Sequence, residues 1–294
     1  MKLLTFIRQG SPALGVKTER GILDVATAAE GREAPASVME AIAQGASAIA
    51  ALSDLAAATP TDSSAWLRED ALEFGPCVTE PKKIICVGLN YRKHAEETKA
   101  PIPEYPILFN KFNNTIAAHG QDIAIPRTTD KLDYEAELVI VIGKKTKYVS
   151  REQALDHVFG YCCVNDLSAR DLQLRTPQWM LGKIGDDFSP IGPYLVTADE
   201  VGNPNDLAVK TYVNGEQRQN SNTSDMIFAC DEIVSYISQH LTLEPGDVIL
   251  TGTPEGVVLG YPKEKRVYLK PGDVVTIEIE KLGSLTNRFV AEEA

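Results

Sequence analysis

Two periodicities divide the chain. Short alternating runs at residues 3–8, 13–18 and 21–24 predict three strands of a small antiparallel meander. Residues 37–55 switch to Ala, Ile and Leu at helical spacing. The polar segment Thr59-Pro60-Thr61-Asp62-Ser63-Ser64 follows, and it reads either as a linker or as a surface loop within one domain. Beyond residue 74, short apolar runs separated by turns dominate. They fall at 83–87, 107–110, 122–124, 135–142, 161–164, 192–196, 208–213, 248–251, 267–269 and 274–279. Helical spacing is confined to 91–98, 151–157 and 224–240, the last with Ser224 as the expected N-cap.

Turn chemistry sharpens this pattern. Asn214-Gly215 between two strand-like runs predicts a two-residue hairpin. Leu243-Glu244-Pro245-Gly246-Asp247-Val248 recurs as Leu269-Lys270-Pro271-Gly272-Asp273-Val274, which is read as two turns of one barrel-like sheet. The expected fold is a mixed, β-rich α+β architecture. Residues 1–75 form a small N-terminal unit and residues 76–294 a larger one.

An apolar content of 44% and a charged content of 24% over 294 residues allow a sizeable core. The formal net charge of -12 repels nucleic acid and anionic membrane, so neither is an expected partner. An anionic ligand would need a local positive centre. No run of 18 apolar residues occurs, so no transmembrane helix is expected. The opening Met1-Lys2-Leu3-Leu4-Thr5-Phe6-Ile7-Arg8 reads as a first strand and not as a signal peptide. Five cysteines without a CxxC read as packed, reduced thiols, and the expected location is cytoplasmic.

The densest candidate chemistry is Leu132-Asp133-Tyr134-Glu135-Ala136-Glu137. Residues i and i+2 of a strand share a face, so Glu135 and Glu137 stand together with Asp133 next along. Carboxylates gathered this way are paired, protonated or arranged around a cation, and an all-oxygen set favours Mg²⁺ or Mn²⁺ over Zn²⁺. The same spacing also fits a solvated acidic edge strand. Asp166 ends the apolar run 160–164, where it either joins that cluster or caps a turn starting at Leu167. Arg170 and Gln173 share a face if this turn is helical. His94 and Glu97 are i and i+3, a spacing that sets a carboxylate against an imidazole; a surface histidine in a Lys/Glu-rich helix has the same appearance. Lys183 lies between Gly182 and Ile184-Gly185, an odd place for a solvated charge. Thr253, between Gly252 and Pro254, is either a free hydroxyl at a strand end or part of a plain turn.

Five segments in order resemble the fumarylacetoacetate hydrolase superfamily, which includes acylpyruvate hydrolases, oxaloacetate decarboxylases and diene-acid isomerases. They are Val87-Gly88-Leu89-Asn90-Tyr91-Arg92-Lys93-His94, the 132–143 run, the 165–173 run, Leu181-Gly182-Lys183 and Leu250-Thr251-Gly252-Thr253-Pro254-Glu255-Gly256-Val257. The resemblance spans about residues 81–290. It implies a β-roll or barrel catalytic domain behind a small N-terminal α+β domain, and a homodimer. It implies Glu135, Glu137 and Asp166 as ligands of Mg²⁺ or Mn²⁺, with Asp133 just behind them. It implies His94 and Glu97 as a water-activating pair on a mobile lid. Lys183 would face the metal and a substrate oxygen, while Arg170, Gln173 and Thr253 would hold substrate oxygens.

The expected activity is metal-dependent hydrolysis of a C–C bond in a 2,4-diketo acid of acylpyruvate type, giving pyruvate and a carboxylic acid. Decarboxylation of oxaloacetate, or isomerisation or hydration of a 2-oxo-diene acid, would use the same metal site. A metal-stabilised binding protein is the non-enzymatic alternative, and the full set of candidate residues argues against it. The substrate implied is a small anionic keto acid. The chain departs from the family pattern after Lys183, at Ile184-Gly185-Asp186-Asp187, which bears on substrate identity. No Rossmann or P-loop glycine pattern appears, so no nucleotide cofactor is expected.

Overall fold

The run Ala136–Ile142 is buried along its whole length. Alternation sends its side chains to two cores. Leu138, Ile140 and Ile142 join one cluster with Ile233, Ile237 and Phe289. Val139 and Val141 join another with Leu3, Ile42 and Leu52 from the N-terminal segment. A strand covered on both faces reads as a continuous apolar run, which is why this element is legible in the sequence.

The computed structural model describes residues 1–293. A 12-stranded sheet passes in order through Trp66–Leu67, Gly21–Asp24, Ser11–Thr18, Lys2–Arg8, Ser189–Thr197, Val158–Asn165, Ala136–Ile142, Val248–Leu250, Ile84–Gly88 and Ile107–Lys111; Phe74–Gly75 and Ile116–Ala117 pair beside this path. A 5-stranded sheet runs through Glu216–Asn222, Ala208–Val213, Val274–Ile279, Gly283–Ala291 and Asp122–Ile125. Leu132–Asp133 pairs with Ser168–Ala169 in a separate two-stranded ladder. The N-terminal meander continues the large sheet, with Leu3 opposite Leu195.

The fold class is as expected in its mixed, sheet-rich character, but no barrel closes among the described residues. Trp66–Leu67 and Ile107–Lys111 end the large sheet at opposite edges. The two Pro-Gly turns correspondingly serve different sheets. One leads into Val248–Leu250 and the other into Val274–Ile279. They share a local device: Asp247 Oδ2 accepts from Glu244 N at 2.8 Å, and Asp273 Oδ2 accepts from Lys270 N at 2.9 Å. Asn214-Gly215 forms the expected hairpin turn, with Val213 opposite Glu216.

Three expectations shift. The helical stretch 37–55 is two helices, Val38–Gln44 and Ala46–Ala58, broken at Gly45 where φ is 62°. Helix 224–240 begins only at Cys230. Ser224 is not its cap, because Asn90 holds the preceding chain extended: Ile227 N donates to Asn90 O at 2.7 Å and Phe228 N to Asn90 Oδ1 at 2.8 Å. Residues 267–269 are not a strand; Leu269 N makes a single bond to Leu132 O at 2.9 Å. All five cysteines are free and buried. No helix among the described residues is long and apolar enough to cross a membrane.

Candidate metal centre and active site

Three local decisions bring the acidic residues together. Glu135 precedes the central strand, held there by Glu135 N donating to Asn165 Oδ1 at 2.9 Å and by Asp166 N donating to Glu135 O at 2.9 Å. Glu137 lies within the strand opposite Val164. Asp166 follows the end of the neighbouring strand Val158–Asn165. One carboxylate oxygen from each of Glu135, Glu137 and Asp166 lies within 4.8 Å of the other two, and all three residues are buried.

Charge is unevenly distributed over this trio. Lys183 Nζ donates to Glu135 Oε2 at 2.7 Å and to Asp166 Oδ2 at 2.6 Å. Arg170 Nη2 pairs with Glu135 Oε1 at 2.7 Å. Burial pushes the Glu135 carboxyl up, but Lys183 and Arg170 outweigh it and hold the group at about 2. Glu137 has no cation of its own and accepts from Gly252 N at 2.7 Å. Burial, then the charges of Asp166 and Glu135, raise it well above the usual carboxylate range. Three converging hard oxygen donors, one of them uncompensated, form a set that a divalent cation completes. The acidic cluster therefore fits Mg²⁺ or Mn²⁺.

Asp133 is not part of the trio. Its two oxygens are spent on Tyr134 N, Val258 N, Leu259 N and Arg170 Nε, at 2.8–3.0 Å. It ties the 258–259 segment and Arg170 to the floor of the site. Gln173 Oε1 accepts from Arg170 Nη1 at 2.9 Å. Thr253 Oγ1 accepts from Gln219 Nε2 at 2.9 Å, which leaves its own hydroxyl proton to donate.

His94 and Glu97 lie on the helix Arg92–Thr98. His94 Nδ1 meets Glu97 Oε1 at 2.7 Å, so Nε2 is the nitrogen left to face a ligand. Glu97 is fixed in turn, because its Oε2 accepts from Gly256 N at 3.1 Å and Gly256 O accepts from Tyr134 Oη at 2.9 Å. A cavity of about 150 Å³ brings His94 together with Glu135, Glu137, Arg170, Gln173, Lys183 and Thr253. All the candidate residues thus meet here except two: Asp166 lies under the cavity, held by Lys183, and Glu97 lies behind His94.

Sequence reasoning missed Lys111, Gln219 and Asn90. Lys111 Nζ donates to Asp166 Oδ1 at 2.5 Å and to Phe188 O at 2.6 Å, with its side chain fully buried. It lies on the strand Ile107–Lys111 two residues after Phe109, a residue that lines the cavity, but nothing in the local sequence marks it as part of the site. Gln219 accepts from Ala136 N at 3.1 Å and from Thr211 Oγ1 at 2.7 Å while donating to the 253–254 turn. Asn90 Nδ2 donates to Phe228 O at 3.0 Å and Thr251 O at 2.8 Å.

A buried carboxylate trio suited to a hard cation, faced by a clamped histidine and ringed by Lys and Arg, is the architecture of a metal-dependent enzyme. The family description "Fumarylacetoacetate (FAA) hydrolase C-terminal" matches residues 83–290, and the chain belongs to this family. It is 47% identical over 215 residues to a Xenopus laevis protein named oxaloacetate tautomerase fahd2, mitochondrial, covering 72% of this chain and 67% of that protein. The fumarylacetoacetate hydrolase structure from Exiguobacterium antarcticum superposes with a TM-score of 0.84 at 36% identity, covering 99% of this chain and 100% of that one. The fumarylpyruvate hydrolase structure from Pseudomonas aeruginosa, in complex with Mn²⁺ and pyruvate, gives 0.66 at 36% identity over 75% of this chain and 92% of its own.

The expected cytoplasmic location is overturned by the mitochondrial naming of the Xenopus laevis relative. Reduced, packed thiols distinguish a reducing compartment from an oxidising one, and not one reducing compartment from another.

Proposed function

We propose that this protein is a Mg²⁺- or Mn²⁺-dependent enzyme that interconverts the keto and enol forms of oxaloacetate or a closely similar 2-keto dicarboxylate. The observation that carries this reading is the pairing of a clamped His94 with the carboxylate trio across one small cavity. At about 150 Å³ the cavity suits a compact ligand; pockets for drug-sized molecules begin at roughly 300 Å³. The Xenopus laevis relative, named an oxaloacetate tautomerase, supports the same substrate.

Glu135, Glu137 and Asp166 would hold the cation. When bound, it supplies Lewis acidity to the α-keto acid oxygens of the substrate and acidifies the adjacent C3–H. The remaining work belongs to side chains of this chain. His94 Nε2 takes a proton from C3 and delivers it to the C2 oxygen to form the enol, and in reverse takes the enol O–H proton and returns it to C3. Glu97 fixes the tautomer that makes this possible and steadies the imidazolium. Arg170, Lys183 and the Thr253 hydroxyl hold substrate oxygens, and Gln173 steadies the Arg170 fork. Lys111 keeps Asp166 in place from below.

Electrostatics favours the anion. Four buried carboxylates, Asp133, Glu135, Glu137 and Asp166, oppose three buried cations, Lys111, Arg170 and Lys183. A divalent cation turns that deficit of one into a surplus of one, at a site a dianion must approach through an acidic surface.

Hydrolysis of an acylpyruvate is the second reading. The same His94–Glu97 pair can draw a proton from water, and the Pseudomonas aeruginosa relative is named a fumarylpyruvate hydrolase. A substrate panel separates the two. Metal-free protein is assayed with and without Mn²⁺ on enol-oxaloacetate, acetylpyruvate and fumarylpyruvate, following enol absorbance and pyruvate release. Mn²⁺-dependent loss of the oxaloacetate enol without pyruvate release from the diketo acids is the expected result. Pyruvate release from a diketo acid at the higher kcat/KM would establish the hydrolase instead.

A further inference from the structure

An open groove of about 570 Å³ adjoins the outer end of the helix that carries His94. Thr98 and Leu259 line both this groove and the substrate cavity, so the two adjoin at those side chains. The groove is basic in a chain of net charge -12. Lys99, Lys263 and Arg266 line it. Lys99 and Lys263 are exposed, and none of the three forms an ion pair among the described residues. Arg266 donates through Nε to Tyr261 O at 2.8 Å, which anchors its stem and leaves its outer nitrogens to the groove. The one carboxylate in the lining, Glu97, is already occupied by His94 Nδ1 and Gly256 N.

The placement is set by backbone. Lys99 closes the helix Arg92–Thr98 at φ 55°, in the left-handed region that favours glycine, with its N–H donating to Ala95 O and Glu96 O. The helix end and its lysine are therefore held as a unit beside the cavity. Tyr261-Pro262-Lys263 also lines the groove, directly after Leu259 and Gly260 in the chain. Three unpaired cations beside the cavity focus a positive potential there, and such focusing raises association rates of anions roughly 10- to 1,000-fold at low salt.

We propose that Lys99, Lys263 and Arg266 form an anion-docking vestibule, which captures the carboxylates of a small keto dicarboxylate before it passes Thr98 and Leu259 into the cavity. The inference rests on the keto-acid reading given above and adds residues that never touch the reacting atoms. The vestibule acts on capture. It therefore changes kcat/KM and the salt dependence, and leaves kcat alone.

The test compares the wild type with the triple variant K99Q/K263Q/R266Q and with K145Q, which removes an exposed lysine that does not line the groove. Two readouts are taken on Mn²⁺-loaded protein from about 20 to 300 mM salt. One is kcat/KM for oxaloacetate. The other is the association rate of oxalate, a non-reacting dianion, followed by fluorescence of Trp179 in the cavity wall. The triple variant is expected to lose about 5-fold or more in both at low salt, with a flattened salt dependence and unchanged kcat. K145Q should match the wild type. Equal rates and slopes in the triple variant and the wild type would overturn the vestibule while leaving the keto-acid reading intact. Slower oxalate association in a protein that turns over no keto acid would support the vestibule and remove the proposed activity. Absence of both oxalate binding and turnover in the wild type would overturn both.

Discussion

Glu135 and Glu137 stand two residues apart and are pushed in opposite directions. Glu135 lies at about 2, because Lys183 and Arg170 outweigh burial. It stabilises the fold above the unfolded carboxylate range of about 4.3, and that contribution is lost as pH falls through 2. Glu137 is raised by burial, then by Asp166 and Glu135. Its contribution is present below about 4.3 and is lost as pH rises through the raised value. Glu137→Gln removes that penalty from the metal-free protein while keeping an acceptor for Gly252 N. Thermal melts should show a higher Tm than wild type at pH 7.5 without metal, by about 2–4 °C for roughly 1 kcal/mol, and no further rise on adding Mn²⁺. A Mn²⁺-induced rise as large as in wild type would remove Glu137 from the ligand set.

The convergence of His94, Glu135, Glu137, Asp166 and Lys183 was implied by the family resemblance of the short segments that carry them; spacing alone left solvated or capping alternatives open for the carboxylates and the histidine. Lys111 was legible in neither. Its partners, Asp166 and the Phe188 carbonyl, lie 55 and 77 residues further along the chain. Lys111→Met leaves part of a buried carboxylate unpaired and is expected to destabilise the metal-free protein by about 3 kcal/mol in denaturant melts. Wild-type stability in that variant would show that Lys183 alone satisfies Asp166.

At the scale of elements, legibility follows burial. Ala136–Ile142 announces itself because both faces are covered. The helix after residue 224 does not start where the pattern places it, because one buried carboxamide, that of Asn90, overrides the local preference across 138 residues. Asn90→Ala abandons three buried hydrogen bonds, to Phe228 N, Phe228 O and Thr251 O. It should cost about 2–4 kcal/mol and loosen the turn leading to His94. Gly256 governs the other side of the histidine. Its φ is +98°, and a Cβ there would lie 2.2 Å from Arg218 O. Gly256→Ala must move the backbone and draw Gly256 N away from Glu97. The expected result is kcat reduced at least about 10-fold with Mn²⁺ affinity unchanged, read by kinetics and calorimetry. Tyr134→Phe, which removes the hydroxyl bonded to Gly256 O, should act in the same direction and more weakly.

For the whole molecule, composition made nucleic acid and anionic membrane unexpected as partners but said little about architecture. Of the expected roll or barrel, closure is what the structure lacks: the large sheet stays open at Trp66–Leu67 and Ile107–Lys111, because strand order depends on long-range pairing that local turn signals do not encode. The two Pro-Gly turns look alike in sequence and serve different sheets for the same reason. The net charge of -12 conceals three buried cations gathered against the carboxylates of the site and a local excess of cations along the neighbouring groove. Function at this site depends on where charge is placed and not on its sum.

The central claim is that His94 moves a proton at C3 of a keto dicarboxylate beside a cation held by Glu135, Glu137 and Asp166. The most direct test is the rate of keto–enol interconversion of oxaloacetate by Mn²⁺-loaded wild type and H94A, with Mn²⁺ affinity measured on both. A drop of about 100-fold or more in H94A, with Mn²⁺ affinity unchanged, is the expected result. Interconversion at the wild-type rate in H94A, or at the same rate in metal-free wild-type protein, would contradict it.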